Sequence, residues 1–301
     1  MKSLQNRIIL AFALVYLIWG STYLAIRFTV ETLPPFFFAG LRFFIAGVIL
    51  YLFARFRLKE PAPQKAHWRT AAIVGAFLLL GGNGFVVKAE QTIPSGLAAL
   101  LVATVPLWMV LLQWLWMKDK KPNNMILGGI AIGLLGVWCL VTHDFLHFDS
   151  ANIDLHGFLF LLAAPLSWSI GSVYARKAPQ AESPFLGTGM QMIMGGIFLM
   201  IVGAGLGELG LIRTNDMSLK SIVSFFYLIG FGSLVGYTAY IWLLKNVGIV
   251  KTSTYAFVNP VVAVFLGWAF AGEALNAQTF VGALLIIAAV CMITLQRKPQ
   301  S

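Results

Sequence analysis

Long apolar runs alternate with short polar breaks along the whole chain. Ten runs approach the roughly 20 apolar residues that carry a helix across a bilayer: residues 8–26, 36–56, 71–90, 95–117, 125–142, 156–175, 185–206, 221–244, 251–270 and 278–296. The breaks carry turn-forming or charged residues, such as Pro34-Pro35 and the run from Arg57 to Lys65. This pattern predicts an all-α integral membrane protein with ten transmembrane helices. Within the runs, polar and large amphipathic residues are sparse and concentrate at one depth. At about 1.5 Å per residue, Trp19, Asn83, Pro106, Trp168 and Pro260 fall near the middle of five different spans.

The spacing of these features repeats. An offset of 154 matches Gly82 with Gly236, Pro106 with Pro260, Asp119 with Glu273 and Gly128 with Gly282. Near the start of each half an offset of 151 matches Gly20-Ser21 and Tyr23 with Gly171-Ser172 and Tyr174. In the second span an offset of 149 matches Gly40 with Gly189 and Gly47 with Gly196. The expected organisation is a five-helix repeat over 1–142, a linker loop over 143–155 and a second repeat over 156–297. Each repeat has an odd number of spans, so the second enters the membrane from the opposite face. Inverted repeats of this kind place a site between the halves, near the midplane. In this register Trp19 has no twin, because Trp168 sits two residues early.

Composition supports the membrane assignment: 59% of residues are hydrophobic and 11% charged, against about 25% charged in soluble domains. The net charge of +10 reads as topology rather than as a nucleic-acid surface. With the N-terminus cytoplasmic, sixteen Lys and Arg fall on the cytoplasmic side, and only Arg213 and Lys220 lie in outer loops. That is the positive-inside pattern, with both termini inside. Cys139 and Cys291 lie within spans and predict no disulfide framework. The first span reads as a true span, not a signal peptide, because no small-residue cleavage site interrupts it before Arg27.

The candidate chemistry is that of a lined cavity. Trp19, Tyr23, Asn83, Trp168, Tyr174, Tyr237 and Tyr240 are the expected substrate-binding residues. Each also has an ordinary packing explanation in a helical bundle. Pro106 and Pro260 are expected hinge points, since each removes a backbone donor. Arg42, Lys88 and Glu90 form an intramembrane charge set with a charge-coupling role, and Arg42 is expected to interact with Glu90. The alternative for Arg42 and Lys88 is snorkelling to headgroups. Gly129 and Gly133 form a small-residue face, read as packing within one half before dimerisation. His143, His147 and His156 lack regular ligand spacing and predict no metal site. No phosphate-binding loop or nucleophile motif is present, so neither a cofactor nor ATP drive is expected.

The run Trp19-Gly20-Ser21-Thr22-Tyr23, Arg42 in span two, Pro106 in span four, and Asn259-Pro260 with Gly272-Glu273 together resemble the drug/metabolite transporter superfamily, EamA type. The resemblance covers essentially the whole chain. It implies a multi-pass permease of the inner (cytoplasmic) membrane, not an enzyme, and commonly an exporter of amino acids, other metabolites or toxic amphipathic compounds. The expected function is alternating-access secondary transport of a small organic solute. The expected surroundings are that solute and membrane lipid, with no nucleic acid; a homodimer and a coupled proton stay open. The alternatives are a polytopic enzyme acting on a lipid-type substrate and a facilitative channel. An enzyme would release a modified product, and a channel would show no saturable flux.

Overall fold

In the computed structural model, residues 2–93, 98, 101–141, 154–213, 216–271 and 277–295 are described. Among them every regular element is helical. Helix α1 runs Lys2–Val30 and α2 runs Pro35–Leu52, with a wider turn continuing to Arg57. Helix α3 runs Lys65–Ala89, α4 Val105–Leu115 and α5 Asn124–Val141. Then follow α6 (Leu155–Lys177), α7 (Pro184–Gly205), α8 (Leu219–Asn246), α9 (Tyr255–Ala271) and α10 (Ala277–Thr294). Six of these, α1, α2, α3, α6, α7 and α8, are long and apolar enough to cross a membrane. The remaining four are shorter.

The helices form because their sequences leave no alternative in lipid. Each backbone N–H and C=O must be paired within its own segment when water is absent. The terminal polar breaks supply caps. Asp154 accepts from the His156 and Gly157 amides at the start of α6. Ser218 accepts from the Ser221 amide at the start of α8. The large apolar side chains point outward as well as inward: Leu17, Phe56, Ile201 and Phe226 are all more than 60% exposed. A periphery this greasy suits a hydrocarbon environment and not water.

Two helices carry the same irregularity. Residues Gly75–Gly84 of α3 and Leu228–Tyr237 of α8 each hold ten residues of π geometry. π turns widen a helix and appear mostly at functional places. Here each widened stretch ends beside a large aromatic of another helix, as described below.

Glycines let the backbones meet at the centre. A methyl at Gly40 of α2 would lie 2.7 Å from the Gly196 carbonyl oxygen of α7, and one at Gly189 would lie 2.8 Å from the Tyr51 amide. A methyl at Gly75 of α3 would lie 2.7 Å from the Gly195 amide. Helices α2 and α3 therefore pack onto α7 backbone to backbone. Between them, Glu208 is almost fully buried, and its carboxylate accepts from the Phe36 and Phe37 amides at 3.3 and 2.7 Å. Gly207, at φ +80°, makes the left-handed turn that returns Glu208 to this helix start. We expect Glu208→Ala to cost about 1–2 kcal/mol through the lost cap. A lowered melting temperature of the purified protein, restored in part by Glu208→Gln, is the check.

The face formed by Gly129 and Gly133 corrects an expectation. It does not pack within its own half. Gly129 meets Ile293 of α10, Gly133 meets the Phe257 ring of α9, and Gly136 meets Ile286 and the Gly282 carbonyl. Close approach is the reason: α5 has small residues where α10 presents branched ones. The face is thereby occupied inside the chain, which removes the sequence ground for using it in a dimer.

Candidate functional site

The centre of the bundle holds a small cavity with about 90 Å³ of room for water-sized molecules. Its lining comes from α1 (Trp19, Thr22, Tyr23, Ile26), α2 (Arg42, Phe43), α3 (Gly82, Asn83, Val86) and the start of α4 (Val105, preceded by Val102). Helices α6 (Ala164, Pro165, Trp168), α8 (Gly232, Tyr237) and α9 (Tyr255, Asn259) complete it. Residues from both sides of the chain's midpoint face one another across it.

The wall is aromatic and tightly ordered. Trp19 meets Trp168 edge-on at 5.5 Å, and Tyr240 and Tyr255 each at 5.0 Å between ring centroids. Trp168 lies 5.2 Å from Tyr240 and 6.4 Å from Tyr237. Both indoles are tied down by their N–H groups, as buried tryptophans require. Trp19 Nε1 donates to the Gly232 carbonyl at 3.2 Å, and Trp168 Nε1 donates to the Tyr240 hydroxyl at 2.8 Å. Ser172 donates to the Trp168 carbonyl at 2.7 Å, so Tyr240 donates to Ser172 Oγ at 2.6 Å.

The two tryptophans have similar surroundings. A methyl on Gly236 would lie 2.5 Å from Trp19 Nε1, and one on Gly82 would lie 2.6 Å from Trp168 Cε3. Each indole thus rests on a glycine within the last three residues of a π stretch, Trp19 on that of α8 and Trp168 on that of α3. Trp19 and Trp168 are 149 residues apart. That is the spacing of the second-span glycines, not the 151 of the neighbouring Gly-Ser pair.

A second pair of counterparts lies beside them. Arg42 Nη2 donates to Asn83 Oδ1 at 2.6 Å. The equivalent positions at offsets of 149 and 154 are Gln191 and Tyr237, and there the Tyr237 hydroxyl donates to Gln191 Oε1 at 3.1 Å. The same α2–α3 bridge is therefore charged in the first half and neutral, as an α7–α8 bridge, in the second.

The cavity brings together Trp19, Tyr23, Asn83, Trp168, Tyr237 and Arg42. Tyr240 sits fully buried behind the wall, holding Trp168 and Ser172. Tyr174 packs half-buried in the apolar core outside the lining. Lys88 donates to Gln91 Oε1 at 2.8 Å and borders a separate cleft with Phe77, Phe85 and Phe160. Glu90 is buried and faces Arg42, Tyr23 and Arg27 at longer range. Among the described residues no ion pair joins Glu90 to Arg42 within 4 Å. The proline environments differ: Pro106 lies in the first turn of α4, where its missing N–H is harmless, and Pro260 lies inside α9. Neither ring lines the cavity, although their neighbours Val105 and Asn259 do. Among the described residues no group of acids, histidines and cysteines could hold a metal. His143, His147, Gly272 and Glu273 lie outside the described residues.

Sequence reasoning missed Tyr255 and Asn259 as lining residues, and Gln191 as the partner of Tyr237. Asn259 is 2% exposed with an unpartnered Oδ1, an acceptor waiting on the cavity. The repeat offset carried a signal for Asn259, since it is the counterpart of Val105.

The comparisons agree with this architecture. The profile of the EamA-like transporter family matches residues 6–142 and 155–295. The chain is 39% identical over 283 residues to an uncharacterized inner membrane transporter YedA of Escherichia coli K12, covering 93% of this chain and 88% of that one. It is 26% identical to an uncharacterized transporter YoaV of Bacillus subtilis, covering 96% and 97%. A chloroplastic WAT1-related protein of Arabidopsis thaliana is 25% identical, over 92% of this chain and 67% of that one. A solved structure described only as a crystal structure of protein superposes with a TM-score of 0.75 at 18% identity, covering 96% and 98%. It shares the fold.

Proposed function

The chain belongs to the EamA-like transporter family, and from that premise we propose that its central cavity is the transport site of a secondary carrier. The carrier moves a small organic solute, an amino acid or related amphipathic metabolite, across the cytoplasmic membrane. It works as ten spans in two inverted five-helix repeats with both termini inside. The cavity opens to one side and then the other as the halves rock. Export is the working direction, driven by a proton gradient or by the solute's own gradient.

One observation carries this reading: the central cavity is lined from both halves of the chain, and its facing walls are built at positions that match by the repeat offsets. Ten residues of π geometry in each half, at Gly75–Gly84 and Leu228–Tyr237, support the repeat. The excess of Lys and Arg in alternate loops supports the orientation. Aromatic walls with a few polar groups suit an amphipathic solute better than an inorganic ion, which would need a ring of charges or carbonyls. Val105 and Asn259, next to Pro106 and Pro260, line the cavity, and the two prolines remain the hinge candidates of this reading, Pro260 inside its helix and Pro106 at the start of one.

The test is a solute screen by thermal stabilisation of the purified protein, followed by flux of each hit in proteoliposomes with and without a pH gradient. Saturable flux that other hits compete with supports a carrier. Unsaturable flux points to a channel, and a chemically altered product points to an enzyme. Either result overturns the proposal.

A further inference from the structure

The charged half of the cavity says which solutes fit, granted the transport reading above. We propose that the solute is a small carboxylate with an apolar or aromatic body, and that the Arg42 guanidinium receives its carboxylate.

Arg42 lines the cavity, yet is only 4% exposed. A guanidinium has five N–H donors. Among the described residues Arg42 has one hydrogen bond, to the neutral amide of Asn83, and its buried Nε has no partner. Burying a cation is costly unless it is paired and hydrogen-bonded. The fold itself does not demand that cost. At the matching place in the other half, Gln191 and Tyr237 make the same bridge without charge. A charge kept where a neutral pair would serve points to a ligand.

The resident acid does not take up this role. Glu90, the residue that caps the end of α3, is 7% exposed, and neither of its carboxylate oxygens has a hydrogen-bond partner. It faces Arg42 from across α2, and Tyr23 and the exposed Arg27 from α1. It balances the charge of Arg42 from a distance and leaves the guanidinium Nε without a partner. A carboxylate suits that fork because two parallel N–H donors match its two oxygens. No aspartate or glutamate lines the cavity among the described residues, so a cationic solute would meet Arg42 with nothing to neutralise it. The apolar body has a continuous surface to lie on. The Phe43 ring sits 4.4 Å under the guanidinium, Tyr237 is 6.4 Å from Phe43, and Trp168 is 6.4 Å from Tyr237. Glu90 then acts as a standing competitor that the solute carboxylate replaces as the closest anion to Arg42.

The test titrates the purified full chain calorimetrically with three probes of one shape: 3-phenylpropionate, 3-phenylpropionamide and 2-phenylethylamine. The carboxylate is expected to bind at least about ten-fold tighter than the amide, with the amine weakest. Arg42→Gln, which copies the neutral half, is expected to bring the carboxylate down to the level of the amide. Arg42→Lys keeps the charge without the fork and falls between. Glu90→Gln, which leaves Arg42 untouched, is expected to tighten the carboxylate several-fold. A carboxylate that binds no better than the amide overturns the proposal, and so does silence from all three probes. A preference that survives Arg42→Gln, or that Glu90→Gln leaves unchanged, also overturns it. Tightest binding by the amine would sink the carboxylate and leave the carrier standing. Absence of saturable flux for any solute would sink the carrier itself.

Discussion

Trp19→Ala is expected to weaken solute binding about a hundred-fold and to leave the amount of folded protein in the membrane nearly unchanged. Trp19 makes three ring contacts within 5.5 Å and donates to the Gly232 carbonyl. Each aromatic contact contributes about 0.5–1.5 kcal/mol beyond burial, and about 1.4 kcal/mol is a factor of ten in affinity. Losing them together loosens the wall that the solute lies against. Folding tolerates the change because one side of the indole borders empty space, so truncation enlarges an existing cavity instead of opening a new one. Trp19→Phe keeps a ring and loses the N–H bond, and should cost about ten-fold or less. The checks are binding by calorimetry and yield of monodisperse protein. Lost yield with normal residual affinity would make Trp19 a packing residue.

The largest effect on folding is expected at Gly196→Val. A Cβ there would lie 2.7 Å from both the Gly40 carbonyl oxygen and the Phe44 amide, which are backbone atoms that cannot rotate away. Overpacking costs about 1–3 kcal/mol and more where, as here, backbone atoms block the new side chain, a large share of a stability of about 5–15 kcal/mol. The α2–α7 contact would part and little folded protein would be recovered. Gly230→Ala is the control. It lies on α8 with no atom within 4 Å of the added carbon, and should be recovered like the parent. Equal recovery of both variants would show that the α2–α7 crossing is not the seam holding the fold together.

How far the sequence foresaw this site depends on what each residue needed. Depth counted along a span found Trp19, Asn83 and Trp168, because α1, α3 and α6 run without a break to those points. Counting does not point to Tyr255: it lies only five residues into the run that starts at 251, yet it sits against Trp19 and Tyr240. The short turn Ile249–Thr252 and the reset at Ser253-Thr254 shift the depth of everything after them. Registers failed in a similar way. The pairing of Trp19 with Trp168 was hidden because one offset was applied through the first span of each half, and the indoles follow another. Arg42 with Gln191 and Asn83 with Tyr237 were legible from the offsets 149 and 154, but only once the partners were known to bond. Glu90 stood out in the sequence as an acid at the end of an apolar run, and it is buried. Its lack of any hydrogen bond is a matter of side-chain geometry that no spacing rule reports.

Alternating exposure of the cavity is the central claim, and cysteine labelling at Thr22 tests it most directly. Thr22 lines the cavity, and its hydroxyl bonds only to the Trp19 carbonyl of its own helix, so Thr22→Cys disturbs little. Cys139 and Cys291 are first replaced by alanine to give a clean background. A membrane-impermeant maleimide is then applied from either face of oriented vesicles, with and without saturating solute. The account predicts labelling that solute slows at one face and that moves between faces as the solute gradient is reversed. Labelling from neither face, or labelling indifferent to solute and gradient, would contradict it.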